Sequence, residues 1–206
     1  MTALVALEAG DTARQVSVSG EAVGVEGSSV YLKTGDNLTL DDLVWALMLE
    51  SANDAAAAIA IEVAGSVAAF AEKMNAKAAE IGLSSTHFTN PHGLDNEDHY
   101  TTARDLAKLA AYALRNPRFR EIVSTYKHTI NVGNERRYLL NHNKMLKLYD
   151  GAIGVKTGYT KHSGRCLVSA AERDGVTLIA VTLNAPDDWN DHRAMLDCGF
   201  GMLEAR

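Results

Sequence analysis

Two short polar segments of this sequence combine residue types that can move protons and bind anions. The first, Ser51-Ala-Asn53, interrupts two apolar helical runs, and the second, Lys156-Thr-Gly-Tyr159, follows a β-type stretch. A serine hydroxyl can pass a proton between neighbours, and an asparagine amide both donates and accepts hydrogen bonds. A lysine ammonium beside them lowers the cost of developing negative charge. Gly158 lets another backbone approach closely and Thr157 offers a hydroxyl to a carboxylate, so the second segment predicts an edge that binds an extended peptide.

The elements that must position these segments are mainly helical in the first half of the chain. Thr39 and Asp42 form a plausible capping box before an apolar helical run, which breaks at Glu50–Asn53 and resumes through the Ala-rich segment 54–64. An apolar helical pattern with no capping residue before it runs over Met1–Glu8. Capping and stop signals predict a helix between Ser66 and Gly82 and one from Thr102 to Arg115, and a last helix is expected from about Asp187 to Leu203.

A period of two replaces the helical period in the second half of the chain. Tyr126–Val132 alternates apolar and polar residues, as in a half-buried strand. Asp174-Gly175 is a hairpin signal between two buried runs, Arg165–Arg173 and Val176–Asn184. Val16–Val18 and Val30–Lys33 are shorter β-type runs, expected at an exposed edge. Helices between early and late strands predict the α+β class, an antiparallel sheet with a helical lobe.

Composition and length are those of a globular protein with one domain. The 206 residues are 47% hydrophobic and 22% charged, with a formal net charge of −6. The acidic balance argues against a nucleic-acid binder, and no run approaches 18 consecutive apolar residues, so no transmembrane helix is predicted. Cys166 and Cys198 do not form a metal-type pair. We expect a single domain over 1–206, with a helical lobe at about 39–116 and a sheet-forming part at about 126–183.

The chain resembles the low-molecular-mass penicillin-binding D-alanyl-D-alanine carboxypeptidases over nearly all of its length. The order Ser-x-Asn and then Lys-Thr-Gly, about 100 residues apart, matches two of the three signatures of serine penicillin-recognising enzymes. Other segments serve as family markers without obvious chemistry. The resemblance is carried by Glu50-Ser-Ala-Asn-Asp-Ala-Ala56, Phe88-Thr-Asn-Pro-His-Gly-Leu94, His99-Tyr-Thr-Thr102, Asn141-His-Asn-Lys144 and Gly154-Val-Lys-Thr-Gly-Tyr-Thr160.

This resemblance implies a β-lactamase/transpeptidase-like fold and a serine acyl-transfer mechanism that releases the terminal D-Ala of a D-Ala-D-Ala peptide. Ser51 would relay a proton to the leaving amine, and Asn53 would bind the substrate amide and hold the lysines. Lys156 would set the local positive potential. Thr157 would meet the terminal carboxylate, and the backbone N–H of Tyr159 would join the oxyanion hole. The site implied consists of catalytic Ser51, Asn53 and Lys156 and substrate-binding Thr157, Gly158 and Tyr159.

Two departures from the family pattern qualify this interpretation. The first family signature, Ser-x-x-Lys with the nucleophile and its base, would fall just before Met1, and we therefore expect an N-terminally truncated domain that lacks its first strands. The Ser-x-x-Lys at Ser124–Lys127 is rejected, because it leaves a predicted helix and enters a predicted strand. Many relatives carry an arginine near the C-terminus that binds the substrate carboxylate, where this chain has Asp187-Asp-Trp189; whether Arg193 replaces it stays open.

Three other functions remain as alternatives. A β-lactamase shares the fold but needs a glutamate that activates the deacylating water, and the segment 90–100 has no clear Glu-x-x-Leu-Asn pattern. A metallopeptidase could use His87, His92 and His99, but their spacing is not that of metal ligands. If the chain truly starts at Met1, it would be a catalytically dead relative that binds peptidoglycan peptides.

The resemblance also implies the partners and the location. Peptidoglycan stem peptides ending in D-Ala-D-Ala are the expected substrates and β-lactams the expected inhibitors, with no cofactor, no metal and no nucleic acid. Because the substrate lies outside the cytoplasm, an extracytoplasmic location is expected, with membrane attachment only through segments absent from this sequence.

Overall fold

The computed structural model describes residues 1–205 and has the mixed α+β architecture that the sequence predicts. The helices in that range are α1 (Thr2–Glu8), α2 (Leu40–Glu50), α3 (Asn53–Ala64), α4 (Val67–Ile81), α5 (Ala103–Ala113), α6 (Pro117–Ser124), α7 (Met145–Leu148) and α8 (Asp188–Glu204), with a short 3-10 turn at Gly20–Ala22. The strands are β1 (Gln15–Ser17), β2 (Asn37–Thr39), β3 (Lys127–Val132), β4 (Glu135–Leu140), β5 (Ala152–Thr160), β6 (Gly164–Arg173) and β7 (Val176–Thr182).

Helix α2 lies at the centre of the helical lobe and is buried along nearly its whole length. The predicted capping box is confirmed at its start: the Thr39 hydroxyl accepts the Asp42 N–H at 3.0 Å, and the Asp42 carboxylate accepts the Thr39 N–H at 3.4 Å. Such a cap stabilises a helix by about 1 kcal/mol. It fixes where α2 begins, so the polar segment that follows Glu50 is held at the opposite end.

Helices α3 and α4 continue the lobe after that segment. Gly65 ends α3 in the left-handed conformation at φ 79°, and the Ser66 hydroxyl caps α4 by accepting the Ala69 N–H at 3.1 Å. No single helix within residues 1–205 is long and apolar enough to cross a membrane. Within these residues, only α3 and α4 taken together have the length and the apolar composition of a membrane span, and the pair is bent by 82° at this break.

A three-stranded antiparallel sheet, in the order β5-β6-β7, forms the second part of the molecule. Asp174 and Gly175 both have positive φ, 49° and 77°, and connect β6 to β7, which confirms the predicted hairpin. β5 is one of the two edge strands of this sheet, and its start lies closely against α6. A Cβ on Gly154 would lie 2.9 Å from the Val123 side chain, so only glycine permits this approach.

The middle strand β6 separates two apolar cores. Val168 and Ala170 face the helical lobe and join the main core, whereas Leu167 and Ala171 belong to a smaller core beneath α8. This alternation is the period of two expected of a strand covered on both faces. Residues on neighbouring positions of β5 and β6 therefore point into different surroundings.

Two strand predictions need correction. Val30–Lys33 is not a strand, because the Val30 and Leu32 N–H groups donate to the buried Asp54 carboxylate at 3.2 and 2.9 Å instead of to a ladder. The partner of β1 is β2, at 37–39. Strand β4 was not predicted, since only Leu139 of its six residues is buried and no alternation marks it.

Candidate active site

The reversal between α2 and α3 places Ser51 at the boundary between the lobe and the sheet. Ser51 closes α2 in the left-handed conformation, with φ 56° and ψ 34°, and α3 begins two residues later at Asn53. A non-glycine residue with positive φ is uncommon and costs free energy, so the surrounding fold must hold it there. The strained turn directs the serine hydroxyl towards β5.

Lys156 of β5 meets this hydroxyl across the boundary. Its ammonium donates to the Ser51 hydroxyl oxygen and, at 2.9 Å, to the carbonyl oxygen of Thr157. Burial removes water from the amine and lowers the pKa of Lys156 to about 8. The lysine is thus mainly charged at neutral pH, where it stabilises negative charge nearby, yet it can release its proton in mildly alkaline solution.

Asn53 is buried and held against the segment 26–28. Its side-chain amide donates to the Glu26 carbonyl at 2.6 Å, and its backbone N–H donates to the Ser28 carbonyl at 2.8 Å. A Cβ on Gly27 would lie 2.7 Å from this amide nitrogen. Within the described chain Asn53 and Lys156 share no hydrogen bond, and no residue from 1 to 205 donates to the Asn53 amide oxygen.

The predicted substrate-binding residues lie along the open edge of β5. Thr157 is half-buried, whereas Gly158 and Tyr159 are exposed, with 70% of Tyr159 accessible. No other strand pairs with β5 on this side within residues 1–205. Because an unpaired edge presents alternate backbone N–H and C=O groups, it can accept an extended peptide as an added strand.

A cavity of about 310 Å³ lies between this edge and the helical lobe. Lys156, Thr157 and Gly158 form one wall, and apolar side chains of α2, α5 and β6 form much of the remainder. The arrangement combines an apolar recess, a desolvated cation with a perturbed pKa and an open strand edge, which is typical of a site for a peptide-like ligand.

The family-marker loop 88–100 forms another wall and was assigned no chemistry from the sequence. Asn75 holds it by two hydrogen bonds of 2.8 Å to the backbone of Phe88, and Asp95 accepts the Thr160 hydroxyl at 2.8 Å. Asn90 and His92 line the cavity. The Phe88–Leu94 family marker was the signal in the sequence that this loop could belong to the site. Its position beside β5 is seen only in the folded structure.

The histidines of this loop are not arranged around a metal. Burial lowers the pKa of both His92 and His99, and the Nδ1 atom of His99 accepts the Thr89 N–H at 3.2 Å. Within residues 1–205 no group of three His, Cys, Asp or Glu side chains could hold a metal ion. These histidines organise the loop through hydrogen bonds.

The rejected Ser-x-x-Lys segment is confirmed to be no helical pair. Ser124 is the last residue of α6 and its hydroxyl donates to the Glu121 carbonyl at 3.1 Å, while Lys127 begins β3. The two side chains therefore do not face each other across a helical turn.

Comparison with known proteins agrees with this geometry. The family model described as D-alanyl-D-alanine carboxypeptidase matches residues 1–187. The D-alanyl-D-alanine carboxypeptidase DacF of Bacillus subtilis is 35% identical in an alignment of 213 residues. This alignment covers 99% of this chain and 55% of that protein. The chain thus spans about half the length of this curated relative.

Solved structures extend the agreement to the backbone. A D-alanyl-D-alanine carboxypeptidase from Mycobacterium tuberculosis superposes with a TM-score of 0.91 at 34% identity, covering 97% of this chain and 78% of that one. The Streptomyces K15 DD-transpeptidase superposes with a TM-score of 0.90 at 34% identity, covering 97% and 84%. Motifs, fold and family match agree, and the chain belongs to the D-alanyl-D-alanine carboxypeptidase family.

Proposed function

We propose that this protein is a serine-type D-Ala-D-Ala carboxypeptidase that removes the terminal D-alanine from peptidoglycan stem peptides through an acyl-enzyme. The observation that carries the proposal is the Lys156–Ser51 hydrogen bond at the open edge of β5, beside an apolar cavity. In acyl transfer an oxyanion develops and a proton must reach the leaving amine. A charged lysine stabilises the oxyanion, and the serine hydroxyl to which it donates can pass the proton.

In this reaction a serine hydroxyl adds to the carbonyl of the penultimate D-Ala and loses its proton, and the terminal D-Ala leaves with a proton on its amine. Water then hydrolyses the ester and regenerates the hydroxyl. The attacking serine is that of the family's Ser-x-x-Lys motif. Ser51 supplies the proton to the leaving amine, and Lys156 keeps the local potential positive.

The substrate chain lies along β5 as an added strand, with its amide against the Asn53 side-chain oxygen and its carboxylate near Thr157. The open edge of β5 and the free oxygen of Asn53 support this orientation. Penicillins carry a carboxylate and a reactive acyl group at a similar spacing, so they are expected to acylate the same serine. Peptidoglycan is built outside the cytoplasm, and we infer the same location for this protein.

A labelled penicillin tests the proposal on the natural protein. We expect a covalent adduct that survives denaturation, release of D-alanine from an acyl-D-Ala-D-Ala peptide, and competition between the two ligands. Mass spectrometry of the labelled peptide identifies the acylated serine. Absence of an adduct together with absence of D-alanine release contradicts the proposal, and rapid turnover of the penicillin favours a β-lactamase.

A non-catalytic peptidoglycan-peptide binder is the second candidate. The open edge of β5 and the cavity beside it can bind a peptide whether or not a nucleophile acts on it. Such a protein would bind acyl-D-Ala-D-Ala peptides at equilibrium without releasing D-alanine and without forming an adduct.

Labelling of intact cells with a membrane-impermeant penicillin tests the location of the proposed enzyme, since a cytoplasmic protein would be labelled only after lysis.

A further inference from the structure

Any carboxypeptidase must recognise the free carboxylate that ends its substrate, and the inference here rests on the proposed function. Thr157 offers this carboxylate only a neutral hydroxyl. Lys156 already donates to Ser51 and to the Thr157 carbonyl, and as the preceding residue of a strand it points to the opposite face of β5 from Thr157. A second cation on the Thr157 face would supply the charge that this hydroxyl lacks.

The register of β5 and β6 identifies such a cation. Thr157 pairs with Leu167, and Tyr159 pairs with Arg165. Cross-strand partners share a face, as do residues two apart along one strand, so Arg165 lies diagonally across from Thr157 on the same face of the sheet. Diagonal neighbours are about 7–8 Å apart, which is within the reach of an arginine side chain.

The guanidinium of Arg165 is fixed by contacts at the start of α8. Its Nε and Nη2 atoms donate to the two carboxylate oxygens of Asp188 at 3.2 and 2.9 Å, and its carbon lies 6.0 Å from the centre of the Trp189 ring. The Asp188 carboxylate is 5% exposed and also accepts the Trp189 N–H at 3.0 Å. A buried carboxylate at a helix N-terminus is a firm anchor for one edge of an arginine.

The other edge of the guanidinium remains open. The Arg165 side chain is 45% exposed, and its Nη1 atom makes no hydrogen bond to any residue from 1 to 205. A guanidinium held on one side by a carboxylate can donate from the other side to a second carboxylate, since its five N–H groups form a planar fork. Arg165 is thus oriented in advance without being fully occupied.

Arg193 and Lys161, two of the other cations of this region, are less suited. Arg193 projects from the exposed face of α8, one residue after His192, whereas the buried stripe of that helix is Asp188, His192, Leu196 and Phe200. Lys161 is exposed in the turn between β5 and β6, and no salt bridge fixes it within the described residues. Neither shares the Thr157 face in a fixed position.

We propose that Arg165 recognises the terminal carboxylate of the substrate together with Thr157, and that Asp188 and Trp189 are its positioning residues. The carboxylate is then bound from β6, the strand beside the Lys-Thr-Gly segment, and not by a cation of α8. Arg165 contacts the substrate but takes no part in proton transfer.

The test compares a ligand that carries the carboxylate with one that lacks it. An uncleavable isostere of acyl-D-Ala-D-Ala, with an ethylene unit in place of the scissile amide, and its C-terminal carboxamide are titrated into the natural protein by calorimetry. We expect wild type to prefer the acid and Arg165→Gln to lose about 10- to 100-fold of that preference, because a charge-assisted pair is removed. Arg165→Lys should retain part of it.

Matched variants separate recognition from folding. Arg193→Gln removes an arginine close by and should leave the acid preference unchanged, while Asp188→Asn keeps Arg165 but loosens its anchor and should lower the preference by a smaller factor. An acid preference in Arg165→Gln equal to that of wild type, with the melting temperature unchanged, overturns the assignment. An acid preference that depends on Arg165 in a protein that forms no penicillin adduct supports the assignment and contradicts the proposed enzyme activity.

Discussion

Two serines in this molecule share hydrogen bonds with a basic nitrogen, one on each side of the three-stranded sheet. On the lobe side, Ser51 accepts from Lys156. On the side of α8, the Ser169 hydroxyl lies 2.5 Å from the Nδ1 atom of His192. Burial lowers the pKa of both bases, Lys156 to about 8 and His192 to about 4. A serine hydrogen-bonded to a base and a lowered pKa of that base therefore do not distinguish the two pairs.

Access to a ligand distinguishes them. Lys156 lines a cavity of about 310 Å³ at an open strand edge. Ser169 and His192 are both 0% exposed, and the Nε2 atom of His192 is also satisfied, by the Thr182 hydroxyl at 3.0 Å. A base with a perturbed pKa marks a chemical site only where a substrate can reach it. A closed network of a serine, a base and a second hydroxyl stabilises the fold instead.

The Lys156→Ala variant should have the largest effect that distinguishes the two pairs, a loss of acylation without a loss of stability. Removing a desolvated cation that stabilises the transition state should lower the rate of acylation by penicillin by about 10²- to 10³-fold. The melting temperature should change little, because the buried charge is itself costly. Stopped-flow acylation and thermal unfolding of the natural protein measure both, and acylation at the wild-type rate would refute the role of Lys156.

Ser169→Ala should lower the stability of the protein and leave the rate of acylation nearly unchanged. It leaves one nitrogen of the fully buried His192 without a partner, which should lower the free energy of unfolding by about 1–3 kcal/mol. Acylation of the folded protein should stay within about threefold, because the network does not touch the cavity. Urea unfolding measures the stability, and stopped-flow kinetics measure the rate of acylation. A loss of acylation without a loss of stability would mean that Ser169 and His192 take part in catalysis.

The titration of Lys156 gives a smaller effect. Its charged form is present below the pKa of about 8 and is lost as the pH rises through that value. The rate of acylation should therefore decline above pH 8, approaching about tenfold per pH unit if the charged form is required. A pH profile from 6 to 10 measures this decline, and Lys156→Arg, which stays charged, should shift it upwards. A flat profile in wild type would contradict the requirement for the ammonium.

Local signals predicted much of the fold and the site. Thr39 with Asp42 and Asp174 with Gly175 carry their structural meaning within a few residues, and both predictions are confirmed. Ser51 and Lys156 could be paired from sequence only through family resemblance, because 105 residues separate them along the chain. The contact itself depends on where the lobe packs against β5.

Relations set by long-range packing could not be predicted. The Asp54 carboxylate accepts hydrogen bonds from the backbone N–H groups of Val30 and Leu32, so the short β-type run predicted at Val30–Lys33 does not form a strand. His192 carries no motif, and its burial follows from α8 packing on β6 and β7. Arg165 gains significance only when the strand register and the start of α8 are both known.

Acid unfolding gives a further test, because the titration of the buried His192 reports on the closed pair. The pKa of His192 is about 4 in the folded protein, because burial disfavours its charged form, and about 6.5 when unfolded. Between these values the unfolded chain binds a proton that the folded chain does not, so the free energy of unfolding should fall as the pH drops from 6.5 to 4 and this contribution should then level off.

Burial also lowers the pKa of His92, His99 and His128, so the slope in wild type is a sum over several imidazoles. His192→Gln removes one of these contributions and keeps a polar side chain next to Thr182. Urea titrations at intervals between pH 4 and 7 should therefore give a shallower slope for His192→Gln than for wild type. Equal slopes would mean that His192 is protonated as readily in the folded protein as in the unfolded chain, which a network closed to water and saturated by Ser169 and Thr182 does not permit.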